Sequence, residues 1–238
     1  MIGFSFYLVL KIDEMTARLA LFDLDNTLLN GDSDHAWGEF LISQGLVDET
    51  SHRATNNRFY QQYLGGELDI EAYVRFTVSP IFGYSGTQRA ALHAAFMSEV
   101  IEQMILEKGR VLVEQHQSRG DVCVIVTATN SFITAPIARS LGIETLLATE
   151  LEIVNDRITG KISGVPCYQD GKVKKIGDWL DEYRAGLENL RMESAIFYTD
   201  SINDLALMEV VAEPVAVDPD SSLEQVAMSK KWQIISLR

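Results

Sequence analysis

The chain has 238 residues, 47% hydrophobic and 23% charged, which suits one large folded unit or a core with a second small module, without disulfide or metal support. Asp and Glu number 34 against 20 Lys and Arg; the resulting formal charge of −14 repels phosphate backbones and anionic lipid, and so argues against nucleic-acid and membrane-surface partners. Two cysteines, Cys123 and Cys167, with no C-x-x-C between them, exclude a disulfide scaffold and a zinc ribbon and make a reducing cytoplasm the expected compartment.

The apolar run Ile2 to Leu10 has no basic residue before it and is followed by Lys11-Ile12-Asp13-Glu14, which is not the layout of a signal peptide. Residues 1–14 are expected to be an extension extraneous to the fold, with a short flanking strand as the alternative. Leu19 to Phe22 reads as a buried parallel strand that ends on Asp23. Val122 to Val126 is a second such strand, ending on Thr127, and Ala195 to Thr199 a third, ending on Asp200. Val211–Val217 and Trp232–Ser236 are two shorter candidates, and Glu150 to Lys161 reads as a hairpin turning at Asn155-Asp156. Helical patterns over about 131–141, 172–185, 202–209 and 220–228 lie between the strands, so the core is expected to be α/β with a doubly wound parallel sheet.

Residues 34–107 read differently. Helical patterns cover 34–44, 50–64 and 69–78, broken by Gly65-Gly66. A later stripe combines Leu92, Phe96, Val100 and Met104 with Met97, Ile101 and Ile105, the wide apolar face of an amphipathic helix. An all-helical insertion at 34–107 would leave 15–33 and 108–238 as the two parts of a discontinuous core.

Three strands that end in Asp23, Thr127 and Asp200 point to one site, because ligands bind beyond the carboxyl ends of strands in open α/β sheets. Asp23 and Asp25 form one carboxylate pair and Asp200 and Asp204 another. Clustered oxygen ligands of this kind suit a hard divalent cation, Mg²⁺ above all. Singly, Asp200 and Asp204 could also cap the helix that follows. Cys123 reads as a buried small hydrophobe, and His52, His93 and His116 as surface residues.

Taken in order, these stretches resemble the haloacid dehalogenase superfamily, within its phosphoserine-phosphatase-like branch. D-x-D-x-T is matched by Asp23, Asp25 and Thr27, and the strand-end hydroxyl by Thr127. The motif lysine is matched by Lys172 after Gly171, with Lys175 as the fallback, and the last acidic motif by Asp200, Ser201, Asn203 and Asp204. The resemblance implies a Rossmann-like core with a helical cap and a Mg²⁺-dependent phosphomonoesterase working through an aspartyl-phosphate. Asp23 would be the nucleophile and Asp25 the general acid and base; Thr127 and Lys172 would hold phosphoryl oxygens. Asp23, the Asp25 backbone carbonyl and Asp200 would hold Mg²⁺, supported by Asp204, Asn203 and Ser201.

The substrate would be a small phosphorylated metabolite. Asp32 falls where the branch places an acid for the substrate ammonium, and Thr77 where phosphoserine phosphatases carry a carboxylate-gripping arginine. An amino-alcohol phosphate follows, histidinol phosphate above all or phosphoethanolamine. The run Gly31-Asp32-Ser33-Asp34-His35-Ala36-Trp37 also resembles bacterial histidinol-phosphate phosphatases, so Asp34, His35 and Trp37 are candidates for contacting the imidazole or amine, or else are helix-start residues. Arg75, shifted into the missing arginine's role, would restore phosphoserine. A catalytically silent binding or regulatory protein on the same fold is the alternative of another class.

Overall fold

The structure, a computed structural model, describes residues 17–182 and 190–238; the N-terminal stretch 1–14 and the end of the helix expected over 172–185 lie outside them. Six parallel strands form one sheet in the order β3-β2-β1-β6-β7-β8. They are β1 (Leu19–Phe22), β2 (Val122–Asn130), β3 (Thr145–Thr149), β6 (Ile196–Thr199), β7 (Glu213–Val217) and β8 (Gln233–Ile235). The remaining pair, β4 (Leu151–Val154) and β5 (Arg157–Ile162), is the antiparallel hairpin, with Asn155 and Asp156 both left-handed at its turn. β3 escaped the sequence reading: Thr145-Leu146-Leu147-Ala148-Thr149 is a short apolar edge strand with no turn residue after it.

Alternation along the strands separates two cores. Ala20, Phe22, Ile125, Tyr198 and Val215 face one side of the sheet; Leu19, Leu21, Val124, Phe197 and Ala216 face the other. Both faces are covered by helices, which is why the strands read as continuous apolar runs.

The helices in chain order are α1 (Ser33–Ser43), α2 (Glu49–Leu64), α3 (Ile70–Val78), α4 (Gly86–Phe96), α5 (Glu102–Met104), α6 (Glu107–Ser118), α7 (Ser131–Ser140), α8 (Asp170–Glu182), α9 (Leu205–Met208) and α10 (Ser221–Lys230). The first six lie between β1 and β2, and the first five of them form the inserted stretch. The chain leaves and re-enters this insertion side by side: Leu29 bridges to Ile105, Asn30 N–H donates to the Met104 carbonyl, and Leu106 N–H donates to that of Leu28. The apolar stripe beyond α4 is not an uninterrupted α-helical one. A π-helical turn over Met97–Ile101 adds a residue, so the buried row steps from His93 and Phe96 to Ile101 and leaves Val100 half-buried.

All three histidines expected at the surface are buried. His116 lies between Asp121 and Tyr198, His93 Nε2 meets the Ile133 carbonyl at 2.8 Å, and the His52 ring stacks on Phe76 at 4.5 Å. Each carries a polar or aromatic partner from an element distant in sequence, which local context does not reveal. Cys123 is half-buried rather than buried, and Cys167 is buried; burial pushes their thiols up to about 11 and about 12.

Candidate active site

β1 delivers Asp23 at its carboxyl end, where Asp23 N–H donates to the Tyr198 carbonyl of β6 at 2.8 Å. The chain then closes a tight loop. Thr27, Leu28 and Leu29 N–H groups all point at the Leu24 carbonyl, Asn26 is left-handed, and Asn26 N–H meets the Gly31 carbonyl at 2.9 Å. This loop turns Asp25 back over the strand end. Its carboxylate accepts from Ser33 N–H at 2.6 Å and from the Thr129 hydroxyl at 2.8 Å. β2 runs past the last rung it shares with β1, the pair Phe22 and Ile125. Beyond it β2 is bulged: Val126 pairs with Leu147 but Asn130 with Thr149. The bulge presents Thr127 and Thr129, two residues apart on one face, to the carboxylates.

Lys172 sits in the first turn of α8 and is 2% exposed. Its ammonium donates to Asp23 Oδ1 and to Asp204 Oδ2, both at 2.7 Å. Glycine is required just before it, since a Cβ on Gly171 would fall 2.0 Å from the Pro166 carbonyl oxygen. Lys175 lines a groove of about 1040 Å³ beside the start of β2 and β3, away from the carboxylates; that groove is larger than the site but lacks its acids. Asp204 accepts in addition from the Thr199 hydroxyl at 2.6 Å, so it is committed to Lys172 and β6 and does not cap α9. Asp200 accepts from the Thr27 hydroxyl at 3.2 Å, and its own N–H donates back to that oxygen at 3.1 Å. Ser201 accepts from Asn203 N–H, and the Asn203 amide reaches the Tyr63 carbonyl of α2.

Burial dominates the electrostatics. It pushes Asp23 up to about 7, against the opposing pull of Lys172, and Asp25 to about 7, with the Asp32 charge next. Burial also raises Asp32 to about 6 and carries Asp34 and Asp200 well above the ordinary carboxylate range. It works against the charge on Lys172 too, but Asp204 and Asp23 outweigh it and hold the ammonium above its usual range. So many buried carboxylates around one lysine form a donor set that fits a hard cation.

Asp23, Asp25, Asp32 and Asp34 line one cavity with Thr127 and Thr129. The inserted helices close it with Tyr60, Tyr63, Leu68, Ile70 and Tyr73, and about 20 Å³ remains, room for a water and not for a metabolite. Residues of α2 and α3 thus roof the strand ends in this structure.

Some sequence candidates stand elsewhere. His35 turns toward α2, where its Nε2 meets Asn57 Oδ1 at 2.9 Å. Arg75 is exposed on the far side of α3, over Phe82, in a groove shared with Gly160 and Lys161. Trp37 is buried under α3, donating its indole N–H to the Thr77 carbonyl at 3.2 Å. Thr129 and the three tyrosines were missed. The two-residue spacing from Thr127 marked Thr129, and Tyr60 and Tyr63 share a helix face at i and i+3, but nothing local said that this face looks inward.

The profile of the haloacid dehalogenase-like hydrolases matches residues 20–209, which takes in every motif described above. The chain belongs to this family. It is 42% identical over 222 residues to a histidinol-phosphatase of Neisseria meningitidis serogroup C (strain 8013), covering 93% of this chain and 99% of that one. Among solved structures, a Bordetella pertussis Tohama I protein of unknown function superposes with TM-score 0.86 at 39% identity, covering 94% and 100% of the two chains. A substrate-bound phosphoserine phosphatase superposes with TM-score 0.64 at 17% identity, covering 94% of each, which shows the shared α/β fold of this haloacid dehalogenase-like chain.

Proposed function

We propose that the protein is a Mg²⁺-dependent phosphomonoesterase that works through an aspartyl-phosphate and acts on an amino-alcohol phosphate, histidinol phosphate foremost. The observation that carries this reading is the bridge from Asp23 through Lys172 to Asp204, beside Asp25 and Asp200 at the strand ends. A carboxylate oxygen of Asp23 attacks phosphorus, forming one P–O bond as the ester P–O bond breaks. Asp25 protonates the departing alcohol oxygen. It then takes a proton from the water that attacks the phosphorus, which frees Asp23 and releases phosphate. A pKa of about 7 supports both roles of Asp25 near neutral pH. Its Thr129 partner is a hydroxyl, which accepts as readily as it donates and so accommodates either state. Lys172 and Thr127 hold phosphoryl oxygens.

Asp23, Asp200 and the Asp25 carbonyl are hard oxygen donors that would hold Mg²⁺, which when bound offsets charge on the phosphoryl group. Among the described residues no group of three His, Cys, Asp or Glu side chains forms a metal cage. That accords with an ion that takes one or two carboxylates and keeps its waters.

The substrate reading rests on three supports. Asp32 offers the pocket a carboxylate for an ammonium; no arginine is among the pocket's lining residues to grip a substrate carboxylate; and the Neisseria relative is named a histidinol-phosphatase. Helices 34–107 act as the cap that limits entry to small esters. All motif carboxylates are retained, which speaks against a catalytically silent binding role. A cytoplasmic setting, without nucleic-acid or membrane partners, belongs to the same proposal; among the described residues no helix is long and apolar enough to cross a membrane.

Phosphate release from histidinol phosphate, phosphoethanolamine, phosphoserine and an amine-free alkyl phosphate, with and without Mg²⁺, tests this reading. The expected order puts histidinol phosphate first, with Mg²⁺ required, and Asp32→Asn selectively slows the amine-bearing esters. Preference for phosphoserine, or activity indifferent to Mg²⁺, would overturn it.

A further inference from the structure

Tyr60, Tyr63 and Tyr73 of α2 and α3 line the cavity with the buried acids. Burial raises each phenol above its ordinary range, and the carboxylate that adds most to this is Asp23 for Tyr63, Asp32 for Tyr60 and Asp34 for Tyr73. Asp23, Asp32 and Asp34 line this one cavity together with the three tyrosines, and Lys172 holds Asp23 from outside it.

Asp34 differs from its neighbours in how it is satisfied. Asp25 accepts bonds of 2.6 and 2.8 Å, and Asp32, the N-cap of α1, accepts from His35 N–H at 2.7 Å. Asp34 is 4% exposed and accepts from the Asn130 amide at a long 3.4 Å. The Thr129 hydroxyl stands close to it, but its 2.8 Å bond goes to Asp25. Asn130 cannot readily turn to improve its contact, because it caps α7: its Oδ1 accepts from Ile133 N–H, which leaves the amide N–H₂ facing Asp34. A carboxylate held this way lacks strong donors on the cavity side. A buried acceptor in that state is stabilised by a ligand N–H more than an already satisfied one would be.

We propose that Asp34 and Tyr73 form a ring subsite, distinct from the ammonium position at Asp32, which takes the N–H of a heteroaromatic ring: Asp34 accepts from the ring nitrogen and the Tyr73 phenol packs against its face. This rests on the amino-alcohol phosphate reading and sharpens it. The preferred substrate carries three features in sequence, namely a phosphate, an amine and a nitrogen-bearing ring. Aromatic packing and one charge-assisted hydrogen bond then select the ring. A substrate with an amine but no ring leaves Asp34 unsatisfied, and one with a plain phenyl ring buries it beside carbon.

The test compares kcat/KM for histidinol phosphate and phenylalaninol phosphate, which share the phosphate and the amine and differ in the ring N–H. Wild type is expected to favour histidinol phosphate by about 10- to 100-fold, the scale of a hydrogen bond to a charged group. In Asp34→Asn that ratio should collapse toward one. The ratio of phenylalaninol phosphate to phosphoethanolamine should fall in Tyr73→Leu, which removes the ring face. Competitive inhibition of wild type by histidinol against phenylalaninol repeats the comparison without any variant. Equal use of both phosphates, or a ratio that Asp34→Asn leaves intact, overturns the subsite while the amine reading stands. Failure of every amine-bearing ester to outpace an amine-free one overturns that reading and the subsite with it.

Discussion

The side-chain amide of Asn203, on the loop after β6, donates to the backbone carbonyl of Tyr63 near the end of α2 at 2.9 Å. The bond ties the loop that carries Asp200 and Asp204 to the helix that closes the cavity. One neutral hydrogen bond is worth about 0.5–1.5 kcal/mol net, enough to shift an open–closed equilibrium severalfold. Asn203→Ala is expected to raise amide hydrogen exchange over residues 63–68 severalfold and to lower kcat/KM. Exchange equal to wild type would show that α2 is held by other contacts.

Asp23→Asn keeps the shape of the proposed nucleophile and removes the charge with which it would attack. Turnover is expected to fall at least ~10³-fold, the scale on which loss of a nucleophile disables a catalytic unit. Near-normal phosphate release would sink the aspartyl-phosphate route.

Asp25→Asn is expected to penalise an alkyl ester most, because a poor leaving group needs the proton most. An activated aryl phosphate should still show a rapid first step, followed by slow release. Burst kinetics with equal losses for both esters would assign Asp25 to the second step or to the architecture of the loop.

Thr77 is 3% exposed, and its carbonyl receives the Trp37 indole N–H. Arginine there would bury a guanidinium against Trp37 without a carboxylate substrate in reach. Thr77→Arg is therefore expected to lower the melting temperature and to leave phosphoserine a poor substrate. A stable variant that gains phosphoserine activity would place the α3 face differently.

His116 makes stability depend on pH. With Nδ1–H donating to Asp121, Nε2 accepts from the Tyr198 hydroxyl at 2.9 Å; a second proton would oblige that hydroxyl to turn from donor to acceptor and would place a charge where burial disfavours it. Burial lowers the His116 pKa, and Asp121 only partly offsets this; Arg18 and Arg119 add to the lowering. The unfolded chain therefore binds the proton more readily, and stability falls as pH drops below the ordinary 6.5. His52 and His93 are lowered likewise and act in the same direction, and both remain in a His116→Gln variant. Melting curves between about pH 7 and pH 5 should fall more steeply for wild type than for His116→Gln. Parallel slopes would mean that His116 binds its proton equally in the folded and unfolded chain.

Periodicity and strand-end chemistry were enough to mark the candidate site residues. A buried parallel strand is an unbroken apolar run, so the first polar residue after it marks the sheet's carboxyl edge. Asp23, Thr127 and Asp200 announce themselves that way. The switch from strand to helix periodicity likewise exposed the inserted helices. Choices between chemically equal residues needed the fold. Lys172 and Lys175 are both lysines in one helix, and only the approach of α8, with Gly171 against the Pro166 carbonyl, decides that Lys172 meets Asp23. The histidines have polar neighbours in sequence, yet their partners arrive from strands and helices far along the chain. Asp34 and Tyr73 are 39 positions apart and come to line one cavity through the packing of α1 and α3 over the strand ends. Local sequence determines what each side chain is able to do; the crossing of elements remote in sequence determines which of those abilities face one cavity.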